Sequence, residues 1–408
     1  MPEAELQTVQ PEVPGWRNTS PLWRRLEALL FAGVFAYTVW GLSAGLAQYA
    51  RTTAAGQGFI TDLLKPFNDG HYHDSVLAVV GLLITLLTLW ELVRFLFTQA
   101  HKERAQGRGM AARLFRATAL EYQPTFFTGL VLGLLPRLIV IDVFWLLLPY
   151  FQQFALFHVG YHWYGWLYAL LMWDLSMWIW HYSAHKVRLL WCLHSPHHAP
   201  QNLNMTVAWV HFFAEGYYSA LVQVPLLMLL GVEPSMLVVI MAFEVTWGTF
   251  IHAGERSFRT GRFGPARYFI ITPSYHRVHH ARNQLYMDTN FCSLLPFWDW
   301  MFGTLQPLRD EVKIEYGITR EINVTSFVDF YFGELLLLAR DVRGARSWRE
   351  GLAYLVKPPG WTPGDASHTA SSARRSFLAD HPQLRPMGGP ALIGRLLPRR
   401  AIRYDAAS

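Results

Sequence analysis

Residues 163–198 read WYGWLYALLMWDLSMWIWHYSAHKVRLLWCLHSPHH, an apolar run with one charge, Asp174, before it ends in five histidines. The run from Gly160 to Trp180 reads as one helix. His181 and His185 are four apart at its end, so both project from one face. His194-Ser-Pro-His197-His198 follows nine residues later. The same spacing recurs at His276-Arg-Val-His279-His280, where Thr272 and Pro273 suit the N-cap and first position of a new helix. His276, His279 and His280 are then expected on one face of that helix. His252 stands between the two clusters. Nine imidazoles within residues 181–280 are thus placed to converge.

Composition says what surrounds them. Of 408 residues, 52% are hydrophobic and only 16% charged, against about 25% charged in an ordinary soluble domain. Two cysteines, Cys192 and Cys292, exclude a disulfide scaffold. Uncharged or nearly uncharged runs at 28–47, 75–97, 124–157, 160–180 and 216–250 are long enough to span a bilayer. Gly231 and Pro234 divide the last into a helical hairpin, and Pro136, Arg137 and Asp142 break the third. The fold expected is all-α: a multi-span membrane bundle with a cytoplasmic helical cap carrying the histidines.

Four segments follow: a polar N-terminal stretch at 1–25, a first transmembrane hairpin with its basic loop at 26–120, a catalytic unit at 121–310, and a basic C-terminal segment at 311–408. The N-terminus shows no signal-peptide pattern. The formal charge of +6 is local: from Arg340 onward lie 12 of the 35 Lys+Arg and 5 of the 29 Asp+Glu. That excludes a nucleic-acid reading of the whole chain and suits attraction to anionic lipid or a solvated tail. Lysine and arginine in the 101–117 loop and N-terminal flank orient both toward the cytoplasm, and the histidines with them. Arg far outnumbers Lys, which hints at a bacterial source, so the membrane expected is the bacterial inner membrane, or the endoplasmic reticulum if the source is a eukaryote.

Imidazole suits iron, zinc and copper. A neutral ligand set leaves the metal cationic without carboxylates beside lipid. Nine exceed one metal's coordination, so two metals are expected, each with four or five nitrogens. Two close redox irons can reduce O2 and attack an unactivated C–H bond of a lipid. No catalytic group distinct from the ligands is identified. A metal-bound histidine usually gives its other N–H to an acceptor. Asp174, seven residues before His181, Glu255, three after His252, and Asp299 are the carboxylate candidates, with Asp288 beside them. His158, His162, Asn204 and His211 are candidates to line the substrate. A membrane metal transporter or a zinc enzyme is the rival class, although a zinc protease would want the absent HExxH.

At these residues the sequence resembles the sterol desaturase and fatty acid hydroxylase superfamily. The three histidine clusters look like its histidine boxes, and Asp288-Thr-Asn290, Trp298-Asp299-Trp-Met-Phe-Gly303-Thr304 and Tyr316-Gly-Ile-Thr319 extend the likeness over about residues 125–310. Lys357-Pro-Pro-Gly-Trp361-Thr-Pro-Gly364 is similar to a segment of the alkylglycerol monooxygenases within it. The resemblance implies O2-dependent hydroxylation of a lipid beside an ether oxygen, two non-haem irons, and an external electron donor, either a protein or reduced tetrahydrobiopterin. A sterol or lipid desaturase, or a headgroup hydroxylase, is the alternative outcome on the same irons. Tyr182, Lys186 and Val210 depart from the usual residues beside the boxes. They leave the ligands intact and bear on headgroup recognition.

Overall fold

The computed structural model describes residues 147–384, apart from 256–257, 259, 324–325 and 365–367. The expected spans at 28–47 and 75–97, the part of 124–157 before residue 147, and the 101–117 loop lie outside them, as do segments 1–25 and 26–120. Among the described residues there is no strand, only an isolated bridge between Ala281 and Tyr316. After a helical stretch at 147–152, the long helix α1 runs Trp163–Lys186. Then come α2 Arg188–His198, α3 Glu215–Leu229, α4 Pro234–Ile251 and α5 Pro273–His279. They are followed by α6 Phe297–Phe302, α7 Phe327–Arg343, α8 Trp348–Val356 and α9 Ala370–Asp380.

α1 buries one stripe, Ala169, Trp173, Ser176, Trp180 and Ala184, at helical spacing. Its upper half packs with Val224 and Leu227 of α3 and Met236 and Leu237 of α4. The expected hairpin is present: α3 and α4 meet at a turn where Gly231 takes φ +70°. A Cβ there would stand 2.2 Å from the Phe157 carbonyl oxygen, so only glycine fits. Beyond its stripe, α1 carries His181 and His185 onto the neighbouring α2.

No helix among the described residues is long and apolar enough to cross a membrane. α3 and α4 have 15 and 18 residues, which rise about 22 and 27 Å against the ~30 Å of a hydrocarbon core. α1 has 24 residues, but five are Trp, and Asp174 is buried at its middle.

The basic C-terminal segment folds back on the histidine helices. Phe330 and Tyr331 of α7 pack with Ala199, Val210 and Phe212. The Arg188 N–H, at the start of α2, donates to the Lys357 carbonyl just past α8 (3.0 Å).

Candidate metal centre

Four short pieces bring the nine histidines together. α1 ends with His181 and His185, and α2 ends with His194, His197 and His198. His252 caps α4, and α5 supplies His276 and His279 with His280 as its C-cap. All nine are buried. Their nitrogens form two groups: His181, His185, His194, His198 and His279 in one, and His197, His252, His276 and His280 in the other, each within 4.8 Å. The split cuts through both HxxHH clusters. His279 turns to the first group while His276 and His280 turn to the second, so the single shared face expected for α5 is divided between two centres.

The other ring nitrogen of most of them is held. His181 Nδ1 donates to the Phe291 carbonyl (2.8 Å), His197 to Val210 (3.1 Å), His252 to Gly248 (2.5 Å) and His279 to Thr289 (2.8 Å). His194 Nδ1 donates to the Glu215 carboxylate (2.5 Å), and His185 Nδ1 faces Asp288 at 3.5 Å. A carbonyl or carboxylate only accepts, so these contacts put the proton on Nδ1 and the lone pair on Nε2. Yet the Nε2 atoms of His181 and His194 stand 3.1 Å apart, and those of His197 and His252 stand 3.2 Å apart. With neutral rings, lone pair meets lone pair once in each group. The Nε2 atoms of His185 and His279 are buried without a partner. A cation among these nitrogens resolves every one of these contacts, so the residues fit a metal in each group.

Electrostatics agree. Burial, followed by repulsion from neighbouring histidines, holds His181, His185, His197, His198, His276 and His280 well below the ordinary histidine range. Burial brings His279 down to about 3. Neutral imidazole is the form that binds metal. Burial alone would raise the Glu215 carboxyl, but His211 and His194 outweigh it and hold it at about 2.

Glu215 is the carboxylate that sequence reasoning missed. One oxygen takes His194 and the other takes His211 Nδ1 (2.7 Å). His211 also stacks on His197 at 4.4 Å, so it touches both groups. Its signal was the i, i+4 spacing of His211 and Glu215. Arg277 was missed too: fully buried, it donates to the carbonyls of Ala253 and Phe258 and fixes the turn after His252.

The three carboxylates expected beside the histidines have other partners. Asp174 accepts from the backbone N–H groups of Ser293, Leu294 and Leu295. Asp299 accepts from those of Phe291 and Cys292. Both bind the loop whose Phe291 carbonyl orients His181, and neither touches a histidine. Glu255 accepts from the Tyr316 hydroxyl (2.5 Å). Of the expected substrate-lining residues, His158 is exposed and pairs with Glu233 at 3.5 Å. His162 precedes α1 at the end remote from the metal groups and stacks on Tyr164. Asn204 accepts from the Thr206 N–H as the cap of a short 3-10 helix, Met205–Trp209. None of these three lines the centre, because each is spent on a local contact.

Residues 166–304 match the family model described as fatty acid hydroxylase. The chain is 31% identical over 202 residues to the alkylglycerol monooxygenase of Xenopus tropicalis, covering 50% of this chain and 43% of that one. It is 32% identical over 225 residues to the alkylglycerol monooxygenase of Danio rerio, with coverage of 54% and 46%. To an ornithine lipid hydroxylase of Rhizobium tropici it is 28% identical over 160 residues, 38% of this chain and 45% of that one. The matches thus span less than half the length of each relative. No solved structure matches. The segment that holds all nine histidines, and the loop that orients them, therefore matches the fatty acid hydroxylase model, in a chain similar to the alkylglycerol monooxygenases.

Proposed function

We propose that this protein is a membrane-bound lipid hydroxylase that uses two irons and O2 to place a hydroxyl on a lipid C–H bond. An ether lipid of the alkylglycerol kind is the preferred substrate. The observation that carries the reading is the close approach of Nε2 atoms within each group of buried imidazoles, His181 to His194 in the first and His197 to His252 in the second. His181, His185, His194, His198 and His279 would hold one ion, and His197, His252, His276 and His280 the other. Bound irons supply the one-electron chemistry with O2 that no side chain can.

The protein's own part is positioning and exclusion of water. The Nδ1 donors to Phe291, Glu215, Val210, Gly248 and Thr289 fix each ring so that Nε2 faces inward. Trp191 and Phe291 pack on His185 at 5.1 and 5.2 Å, and Trp180 packs on His194 at 5.7 Å. This aromatic wall keeps bulk water from the first group. Electrons come from outside the chain, and reduced tetrahydrobiopterin is the donor proposed. The low charge and the apolar runs outside the described residues support a place in a bacterial inner membrane, or in the endoplasmic reticulum of a eukaryotic host. The histidines then face the cytoplasm.

The test is metal analysis of the purified protein with turnover under labelled O2. About two irons per chain, lost in His279→Ala, and one labelled oxygen gained by a lipid are expected. A single tightly held zinc with turnover in the absence of O2 overturns the reading.

A further inference from the structure

α8 leaves an apolar stripe uncovered. Trp348, Leu352 and Val356, at i, i+4 and i+8, are 74%, 50% and 51% exposed. Leu336 on the adjoining α7 is exposed as well. The opposite side of α8 is spoken for: Gly351 is buried against Val342 and Ala345, and Tyr354 packs on Trp361 and under Arg188. An isolated exposed leucine needs no explanation, but three large side chains in line on one helix face do.

The rim of the stripe is basic. Arg340, Arg343, Arg346, Arg349 and Lys357 are exposed around it, and Arg349 lies over the Trp348 ring at 5.3 Å. Only Arg340 of the five forms an ion pair among the described residues, with its neighbour Asp341. Beyond residue 384 the sequence adds Arg385, Arg395, Arg399, Arg400 and Arg403 against Asp405. Apolar side chains on one line, tryptophan at its edge and cations around it make up the pattern of a helix lying in the headgroup plane of an anionic bilayer.

We propose that the outer face of α8 docks on the surface of a bilayer rich in anionic lipid. The stripe enters the headgroup layer, while Arg343, Arg346, Arg349 and Lys357 reach phosphate. The contact is tied to the metal centre. The Lys357 carbonyl at the end of α8 accepts from the Arg188 N–H (3.0 Å), and the Arg188 guanidinium donates to Asp341 of α7 (2.6 Å). Arg188 begins α2, whose last turns carry His194, His197 and His198. Docking therefore sets the height of the centre above the lipid surface, whichever reaction runs there. The proposal does not rest on the hydroxylase reading.

The full-length protein is tested in nanodiscs of phosphatidylcholine alone and of phosphatidylcholine with phosphatidylglycerol. Cys192 and Cys292 are buried, so a polarity-sensitive dye on Leu352→Cys reports the stripe selectively. In the anionic discs the dye emission shifts to the blue, and acrylamide quenching falls about fivefold relative to the neutral discs. High salt, or the combined Arg343→Glu, Arg346→Glu and Arg349→Glu changes, removes that difference. Trp348→Cys behaves as Leu352→Cys does, and Glu311→Cys, exposed elsewhere, does not respond to lipid. Equal quenching in both discs overturns the proposal. So does protection that is also present in detergent, because another part of the chain or a second copy then covers the face.

Discussion

Glu215 joins two histidines that belong to different parts of the centre. Its carboxylate receives His194, a member of the first group, and His211, which stacks on His197 of the second. Both its oxygens are buried and used, so truncation leaves two ring nitrogens without acceptors. Glu215→Ala should lower metal affinity about 10–100-fold and cost on the order of 1–3 kcal/mol of stability. Glu215→Gln should fall between, because an amide can accept from one ring only. Chelator competition followed by metal analysis reads the first effect, and thermal unfolding reads the second. Wild-type metal retention in Glu215→Ala would show that His194 needs no orienting partner. Eight of the nine ligand candidates were legible from spacing, since HxxHH occurs only twice and His181 and His185 sit just before the first copy. His252 was legible from its place between the clusters, and the same HxxxH spacing at His158 and His162 lies away from the centre. Of their acceptors only Asp288 was named, among the carboxylate candidates. Four of the six are backbone carbonyls, which no sequence pattern displays, and Glu215 lies 21 residues beyond its partner His194.

At the scale of elements, the loop from Asp288 to Leu295 is the part that two carboxylates hold in place. Asp288 and Asn290 take φ of +55° and +57°, a conformation that these residue types tolerate. The turn they form presents the Thr289 carbonyl to His279, and the next residues present the Phe291 carbonyl to His181. Asp174 and Asp299 grip the backbone of 291–295 from below. An asparagine at 174 turns an amide N–H₂ toward backbone donors. Asp174→Asn should therefore cost about 1–3 kcal/mol and loosen the first metal group more than the second. Spectroscopy that distinguishes the two bound metals checks this. Unchanged unfolding and unchanged metal content together would remove Asp174 from the support of the site. The hairpin turn at Gly231 and Pro234 and the start of α5 at Pro273 were readable, because proline and glycine restrict the backbone locally. The folding of α7, α8 and α9 back onto the histidine helices was not. Tyr331 reaches the 211–213 backbone from 118 residues away, through packing that a charge count hides.

For the molecule as a whole, nine buried imidazoles make stability depend on pH and on metal in a linked way. In the metal-free protein, burial and mutual repulsion keep seven of these rings neutral well below the ordinary histidine range, His279 down to about 3. The unfolded chain takes up those protons near pH 6.5. Below that value the unfolded state binds more protons than the folded one, so stability falls as pH falls. The loss begins near pH 6.5 and continues toward the folded values, at up to about 1.4 kcal/mol per pH unit for each ring that stays neutral. Above about pH 7 both states are neutral, and the curve should be flat. Metal binds the folded rings and raises stability by mass action. The protein stripped by chelator should therefore melt well below the loaded protein at pH 7.5. It should lose further melting temperature between pH 7 and pH 5 and recover on return of iron at neutral pH. Calorimetry of loaded and stripped protein across that range measures both effects. A stripped protein whose melting temperature is indifferent to pH between 7 and 5 would mean that these seven rings are not packed as neutral imidazoles.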